Sequence, residues 1–287
     1  MSKTLKQCEN VVRLAKPQTP GWCQCPDENE KGSVASRDGP AGIHEPYGRH
    51  QFPPPHRRKM VTLETMDILH QDAALLVLNK PPGLPVLPDG WDPSGPYLLA
   101  MVQAEYGRLW IVHRLDKGTS GVLVFARTAD AHRLLSIQFE RHEALKTYHG
   151  IVTGVPAWDE KTARQRLTAN VGHRHRTLVD PRNGKPSTTV FSVIERLASH
   201  ALLQAQPLTG RTHQVRAHAS ALGHPLLADS LYGAPPTLLM ERPALHALSL
   251  TLTHPETGVA TTFTAGYPED FERALVALRK SSGHPHK

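Results

Sequence analysis

Short apolar runs separated by turn signals dominate the chain from about Thr62 onward. ILH at 68–70 and ALLVLNK at 74–80 read as two strands closed by Pro81-Pro82-Gly83, because aliphatic runs bounded by proline and glycine fit a pleated, buried surface. The same reasoning predicts strands at LWIVHR (109–114), GVLVFAR (121–127), KTYHGIVTG (146–154), TTVFSVIERL (188–197), ALLQAQPL (201–208), LHALSLTLTH (245–254) and ATTFTAGY (260–267). Three stretches read as helices instead. Leu134, Leu135 and Phe139 share a face at 129–141 behind Thr128 as N-cap, 211–222 forms a second helix, and Phe271, Leu275 and Leu278 recur at 269–280 behind Pro268.

Strands outnumber helices and do not alternate regularly with them. An α+β architecture with a mixed, mainly antiparallel sheet and flanking helices is therefore expected, not a doubly wound one. The first 60 residues differ: they hold eight prolines and five glycines, show no sustained period, and end in PPPHRRK at 53–59. Such a segment buries too little apolar surface to offset its ordering entropy, so 1–60 is expected to be a flexible basic arm, 61–280 the folded domain and 281–287 a disordered tail.

Charge adds a direction. Lys and Arg number 33 against 26 Asp and Glu, a formal charge of +7 and a pI near 9.4, which favours an anionic partner without choosing between nucleic acid and a membrane surface. The longest apolar run, Ala73–Leu78, is far short of the roughly 20 residues that span a bilayer, and the opening MSKTLKQCENVVRLAKP has no apolar leader segment. A cytoplasmic protein with no membrane association is expected. Cys8, Cys23 and Cys25 are an odd set confined to the first 25 residues, which fits a reducing compartment. Cys23 and Cys25 with His44 or His50 lack the usual structural zinc spacing.

Two polar stretches carry candidate chemistry. His113-Arg114-Leu115-Asp116-Lys117-Gly118-Thr119-Ser120-Gly121 lies between two strand candidates, where a loop can hold functional groups on a rigid frame. Asp116, flanked by Arg114 and Lys117, is expected to stay ionised and to act as nucleophile or base; an Asx-turn aspartate is the alternative at this stage. In Leu208-Thr209-Gly210-Arg211-Thr212-His213-Gln214-Val215-Arg216-Ala217-His218, Arg211 falls in the first turn of the expected helix, where a cation opposes the helix dipole. A carboxylate or phosphate facing Arg211 would resolve that conflict. His213 and His218 are five apart and point to different helix faces, so they do not form a metal pair.

Taken together, these stretches resemble the RluA-type pseudouridine synthase family. Four segments agree in order: Asn79-Lys80-Pro81-Pro82-Gly83; HRLDKGTSGVLVFAR at 113–127; Lys146-Thr147-Tyr148; and LTGRTHQVRAHASALGHPLLADSLYG at 208–233, followed by Leu245-His246-Ala247 and His254-Pro255. The resemblance spans roughly residues 66–266. It implies a curved catalytic sheet, Asp116 as the essential aspartate, Tyr148 packed on the target uracil, Arg211 as the basic partner of Asp116, and Arg114 intruding into the RNA beside the flipped nucleotide. His113, Thr119, Arg127, Thr212 and His213, with Arg174 and Arg176 from the cluster His173-Arg174-His175-Arg176, complete the expected RNA contacts. One departure is visible: Ala228 precedes Asp229 where family members commonly have glycine, so a tight backbone feature there is expected to relax.

The implied reaction is an isomerisation of uridine in structured RNA, ribosomal or transfer, with the base flipped from its stack. It needs no redox or hydrolytic cofactor. Neither G-x-x-x-x-G-K-[ST] nor G-x-G-x-x-G occurs, no catalytic metal is implied, and no obligate protein partner is implied. Two other classes compete: a non-catalytic RNA-binding module, which has no reason to combine Asp116, Tyr148 and Arg211, and a metal-dependent hydrolase drawing on the 18 histidines, most of which are scattered.

Overall fold

The structure is a computed structural model that describes residues 66–283 apart from Trp91 and Arg174. The expected arm at 1–60, its three cysteines, Arg174 and residues 284–287 lie outside the described residues. Described strands are β1 (Asp67–Gln71), β2 (Leu75–Lys80), β3 (Trp110–Ile111), β4 (Ser120–Ala126), β5 (Leu145–Thr153), β6 (Glu160–Ala163), β7 (Leu167–Val171), β8 (Arg176–Val179), β9 (Thr189–Arg196), β10 (His200–Pro207), β11 (Leu245–Thr253) and β12 (Ala260–Thr264). The helices are α1 (Leu98–Tyr106), α2 (Ala129–Glu140), α3 (Gln214–Ala221) and α4 (Glu269–Ser281).

Ten strands form one sheet in the order β1-β2-β4-β11-β5-β10-β9-β6, with β3 on β4 and β12 on β11; β7 and β8 form a separate hairpin. Every pairing is antiparallel except β4–β11. An α+β fold with a mixed sheet is what the pattern predicted. Period-two alternation explains how helices cover both faces. On β2 and β4, Leu75, Val77, Val122 and Val124 pack with Ala131 and Leu135 of α2. Leu76, Leu78, Leu123 and Phe125 point the other way, onto Leu98 and Val102 of α1. In the second half, Ile151 and Leu202 meet Phe271 and Leu275 of α4, whereas Val152, Leu203 and Ala205 meet Val215 and Ala219 of α3. Each fully buried Leu or Phe contributes about 2 kcal/mol. Tyr148 touches both the α1-side and α3-side clusters and so marks the seam between the halves.

α2 and α4 follow their expected ranges, and the Thr128 hydroxyl accepts the Ala131 amide at 3.1 Å as the N-cap. α4 carries Glu269, Asp270 and Glu272 in its first turn and Arg279 and Lys280 in its last, matching the dipole at both ends. It runs to Ser281, and Ser282 accepts nothing loose: its hydroxyl donates to Leu278 O and receives the Ala198 amide. The described residues run through Gly283, two past the end of α4. The strand expected at 109–114 is cut to two residues, because His113 and Arg114 leave the sheet to line a cleft. α1 and the β6–β8 segment were not anticipated.

β4 and β11 approach each other closely where Gly121 pairs with Ala247. Gly121 holds φ +114°, and a β-carbon there would stand 2.1 Å from the Ala247 carbonyl oxygen. Gly121→Ala combines overpacking against backbone with a disfavoured φ, and is expected to cost at least about 3 kcal/mol. Urea unfolding reads this directly; an unchanged midpoint would refute the steric argument.

Candidate active site

The segment joining β3 to β4 is fixed from four directions. The fully buried Lys80 ammonium donates to the carbonyls of Pro81, Leu84 and Lys117 at 2.8, 2.9 and 3.3 Å. Burial pushes its pKa down to about 7, with Arg242 adding to the shift and Asp116 opposing it. The Gly83 amide donates to Lys117 O, Arg242 Nη1 donates to Gly118 O, and the Thr119 amide donates back to Asp116 O. Arg242 is itself held bidentately by Asp270 of α4. At the start of β4 the Ser120 hydroxyl meets His246 Nδ1 at 3.0 Å, while His246 Nε2 donates to Ala265 O, leaving a neutral ring whose pKa burial lowers to about 4.

These contacts hold Asp116 on the floor of a cleft of about 850 Å³, large enough for a nucleotide. Its carboxylate faces two cationic or potentially cationic groups at the start of α3, Arg216 Nη1 at 3.6 Å and Nε2 of His213, the N-cap residue, at 3.7 Å. Arg216 in turn grips Asp229 bidentately, with both bonds 2.8 Å, and lies over the Tyr232 ring. Asp229 is 1% exposed, so this is a buried ion pair whose second face points at Asp116. The Tyr232 hydroxyl accepts the Thr177 amide and meets His213 Nδ1 at 3.1 Å, which holds the His213 ring with Nε2 toward Asp116. Tyr148, on β5, lines the cleft; burial first and the Asp116 charge second push its phenol well above the usual range, so it stays neutral.

The sequence expectation that Arg211 pairs with Asp116 is corrected: Arg216 occupies that position, and among the described residues no ion pair joins Arg211 to a carboxylate. The reason is the helix start. α3 begins at Gln214, three residues later than expected, because Gln214 is buried and acts as a tertiary clasp. Its Oε1 accepts from the Thr209 hydroxyl and the Arg211 amide, and its Nε2 donates to Thr188 O and Thr189 Oγ1. Arg211 thus sits in the turn before the helix, lining the cleft, with its Nε enclosed and unbonded. A buried donor left unmade costs about 1–3 kcal/mol. The dipole conflict falls instead on Arg216, in the first turn of α3, and Asp229 and Asp116 answer it. The positive surroundings of Asp116 likewise come from α3 and not from its chain neighbours, since Lys117 pairs with Asp89 at 2.7 Å and Arg114 is exposed.

The other expected RNA contacts divide. Arg114, Thr119, Thr212 and His213 line the cleft. His113 also lines it, but its Nε2 accepts the Val124 amide, its ring stacks on Phe139, and burial with the nearby Lys146 charge lowers its pKa to about 3. It is therefore neutral and offers no cation to phosphate. Arg127 lies away from the cleft, where its guanidinium donates to Asp72 O. Arg176 is exposed at the start of β8. Arg216, Asp229, Gln214 and Tyr232 were missed as site residues although all lie within the 208–233 stretch; an arginine flanked by Val215 and Ala217 in a helix that buries Ala219 was the available signal.

A family model described as RNA pseudouridylate synthase matches residues 74–221. The chain belongs to that family. It is 38% identical over 226 residues to the dual-specificity RNA pseudouridine synthase RluA of Escherichia coli, covering 78% of this chain and all of that one. An uncharacterized RNA pseudouridine synthase of Synechocystis sp. is 38% identical over 227 residues, covering 75% of this chain and 69% of the relative. Ribosomal large subunit pseudouridine synthase D of Neisseria meningitidis is 35% identical over 234 residues, and the chain spans 62% of its length. Among solved structures, human RNA pseudouridylate synthase domain containing 4 superposes with a TM-score of 0.62 at 28% identity, covering 74% of this chain and 93% of that one. The synthase is thus an isomerase that converts uridine in RNA to pseudouridine, and an aspartate nucleophile is general to its family.

Ala228 did not relax as expected. It keeps φ +62°, the left-handed geometry that glycine adopts without strain, immediately before the Asp229 that holds Arg216. Ala228→Gly in the synthase is expected to raise stability by about 1 kcal/mol and Tm by roughly 2–4 °C, as read by calorimetry; a lower Tm would mean that glycine's unfolded-state entropy outweighs the strain.

One group of possible metal ligands occurs among the described residues, His70, Asp72 and His254. Both imidazole Nε2 atoms lie on the same Asp72 oxygen, at 2.7 and 2.8 Å. His254 Nδ1 accepts the amides of Glu256 and Thr257, so its Nε2 carries the proton and donates to Asp72, which is the wrong tautomer for a metal ligand. The cluster is a brace between the β1–β2 turn and the end of β11.

Proposed function

We propose that Asp116 is the nucleophile of the synthase and that ribosomal or transfer RNA supplies its uridine. The observation that carries this reading is the carboxylate of Asp116 on the floor of the cleft, facing Arg216 and His213, with the neutral Tyr148 ring beside it. A uridine enters flipped, its base against Tyr148. Extrusion costs a few kcal/mol, which stacking of about 1–3 kcal/mol per base and phosphate contacts offset. Asp116 then adds to the ring or acts at the ribose. The N1–C1′ bond breaks, a C5–C1′ bond forms, C5 loses its proton and N1 gains one, so no oxidant and no water are consumed.

The choice of RNA class draws on the relatives, one named as a ribosomal large subunit enzyme and another as a dual-specificity one. Exposed Arg164, Arg166, Arg176, Arg182 and Lys185 on the β6–β9 segment supply cations for a phosphate backbone, without base-sequence information. The test offers tRNA and rRNA separately, each labelled with tritium at C5 of uridine and drawn from cells lacking the synthase. Tritium release from one RNA by wild type and from neither by Asp116→Ala is the expected result. No release by wild type from either RNA would overturn the assignment.

A further inference from the structure

Among the cations that line the cleft, Lys146 and Arg211 are half-buried and make no ion pair among the described residues. Lys146 lies two residues before Tyr148 on β5, and so on the same face of the strand, reaching into the cleft. It makes no hydrogen bond or ion pair among the described residues, and burial lowers its pKa. Its Nζ stands 3.9 Å from the position a β-carbon on Gly210 would take, which brings it to the turn that carries Arg211. Arg211 has an enclosed, unbonded Nε and, among the described residues, no carboxylate within ion-pair range. Both are placed by rigid structure: Lys146 by the β5–β11 ladder, Arg211 by the Gln214 clasp on its own amide.

Acidic side chains of the cleft do not neutralise them. Asp116 faces Arg216 and His213, Asp89 holds Lys117, and Glu140 forms no ion pair with either cation. His113 beside Lys146 is neutral. Two half-buried positive charges with no carboxylate against them are stabilised by an anion brought from outside, and a guanidinium beside an ammonium suits a tetrahedral oxyanion. Resting on the nucleotide-flipping reading above, we propose that Lys146 and Arg211 jointly grip one backbone phosphate of the RNA strand that carries the target uridine. The pair anchors the sugar-phosphate while the base occupies the space between Tyr148 and Asp116. Arg211 is then a substrate-binding residue, separate from the Arg216–Asp229 support of Asp116.

The test measures kcat/KM for tritium release across a salt series, with the labelled RNA that wild type accepts. Lys146→Gln and Arg211→Gln should each lower kcat/KM at low salt by about 10-fold, and the double variant should lose less than the product of the two. The double variant should flatten the slope of log kcat/KM against log salt by about 0.7–0.9, the contribution of one phosphate and not of two. Lys146→Arg and Arg211→Lys, which keep the charges, should restore the slope and guard against misfolding. An unchanged slope, a loss worth two phosphates, or charge-conserving variants that fail to restore it while remaining folded would overturn the joint grip. Absence of release by wild type from any RNA is a different result: it overturns the activity and the phosphate site with it.

Discussion

Asp116→Asn is expected to lower turnover by about 10⁴-fold or more while leaving the fold and RNA binding intact. The amide is isosteric but cannot form or release a covalent bond as a carboxylate does, and loss of a nucleophile is among the largest single-residue effects in enzymes. Of the other acidic groups near the site, Asp229 is buried against Arg216 and Asp89 is paired with Lys117, while Glu140 lines the cleft without facing Arg216 and His213 as Asp116 does. Single-turnover tritium release with enzyme in excess separates the chemical step from RNA binding. A residual rate within 10-fold of wild type would remove Asp116 from the reaction and point to electrostatic support alone.

The largest expected effect on stability comes from Asp229→Ala. Asp229 is 1% exposed and holds Arg216 through two 2.8 Å bonds, while Asp116 stands at 3.6 Å on the other side. Removing one partner of a buried pair leaves an uncompensated charge and typically costs about 3–5 kcal/mol. For a domain of this size that is a fall in Tm of roughly 6–20 °C. Arg216 freed from Asp229 is drawn toward Asp116, shifting the carboxylate from its reactive position, so turnover should fall by about 10²-fold as well. Asp229→Asn keeps one acceptor and should lose less on both counts. Calorimetry and single-turnover rates on the same samples check both parts; a stable but slow Asp229→Ala would mean that Asp229 orients Arg216 without sharing its charge.

The two variants probe different links of one chain. Asp229 positions Arg216, Arg216 faces Asp116, and Asp116 is the proposed nucleophile. Gln214 decides where that chain begins, because its four side-chain hydrogen bonds stop the α3 helix short of Arg211. An arginine five residues away then takes the place that helix-dipole reasoning assigned to Arg211.

The central strands, α2 and α4 were legible in the sequence because local information specifies them. β2 and β4 are continuous aliphatic runs buried on both faces, and α4 combines a spaced apolar stripe with charges that suit its dipole. Asp116 and Tyr148 were singled out by the resemblance of their segments to the RluA-type family, since residue type alone left Asp116 open to an Asx-turn role; the structure places both along the cleft. α1 was not, since its apolar residues lack a strong stripe and no side chain caps its start. The β6–β8 segment was not, since its residues are mostly exposed and show no core-facing period. The partners of Asp116 were decided by tertiary structure alone. Arg216 and His213 lie about a hundred residues from it, and their orientations depend on Gln214, Asp229 and Tyr232, contacts that arise only when α3, β8 and the turn after α3 pack together. Residue type and spacing set which groups are available for chemistry; the buried hydrogen bonds of the folded chain select which of two arginines reaches the carboxylate.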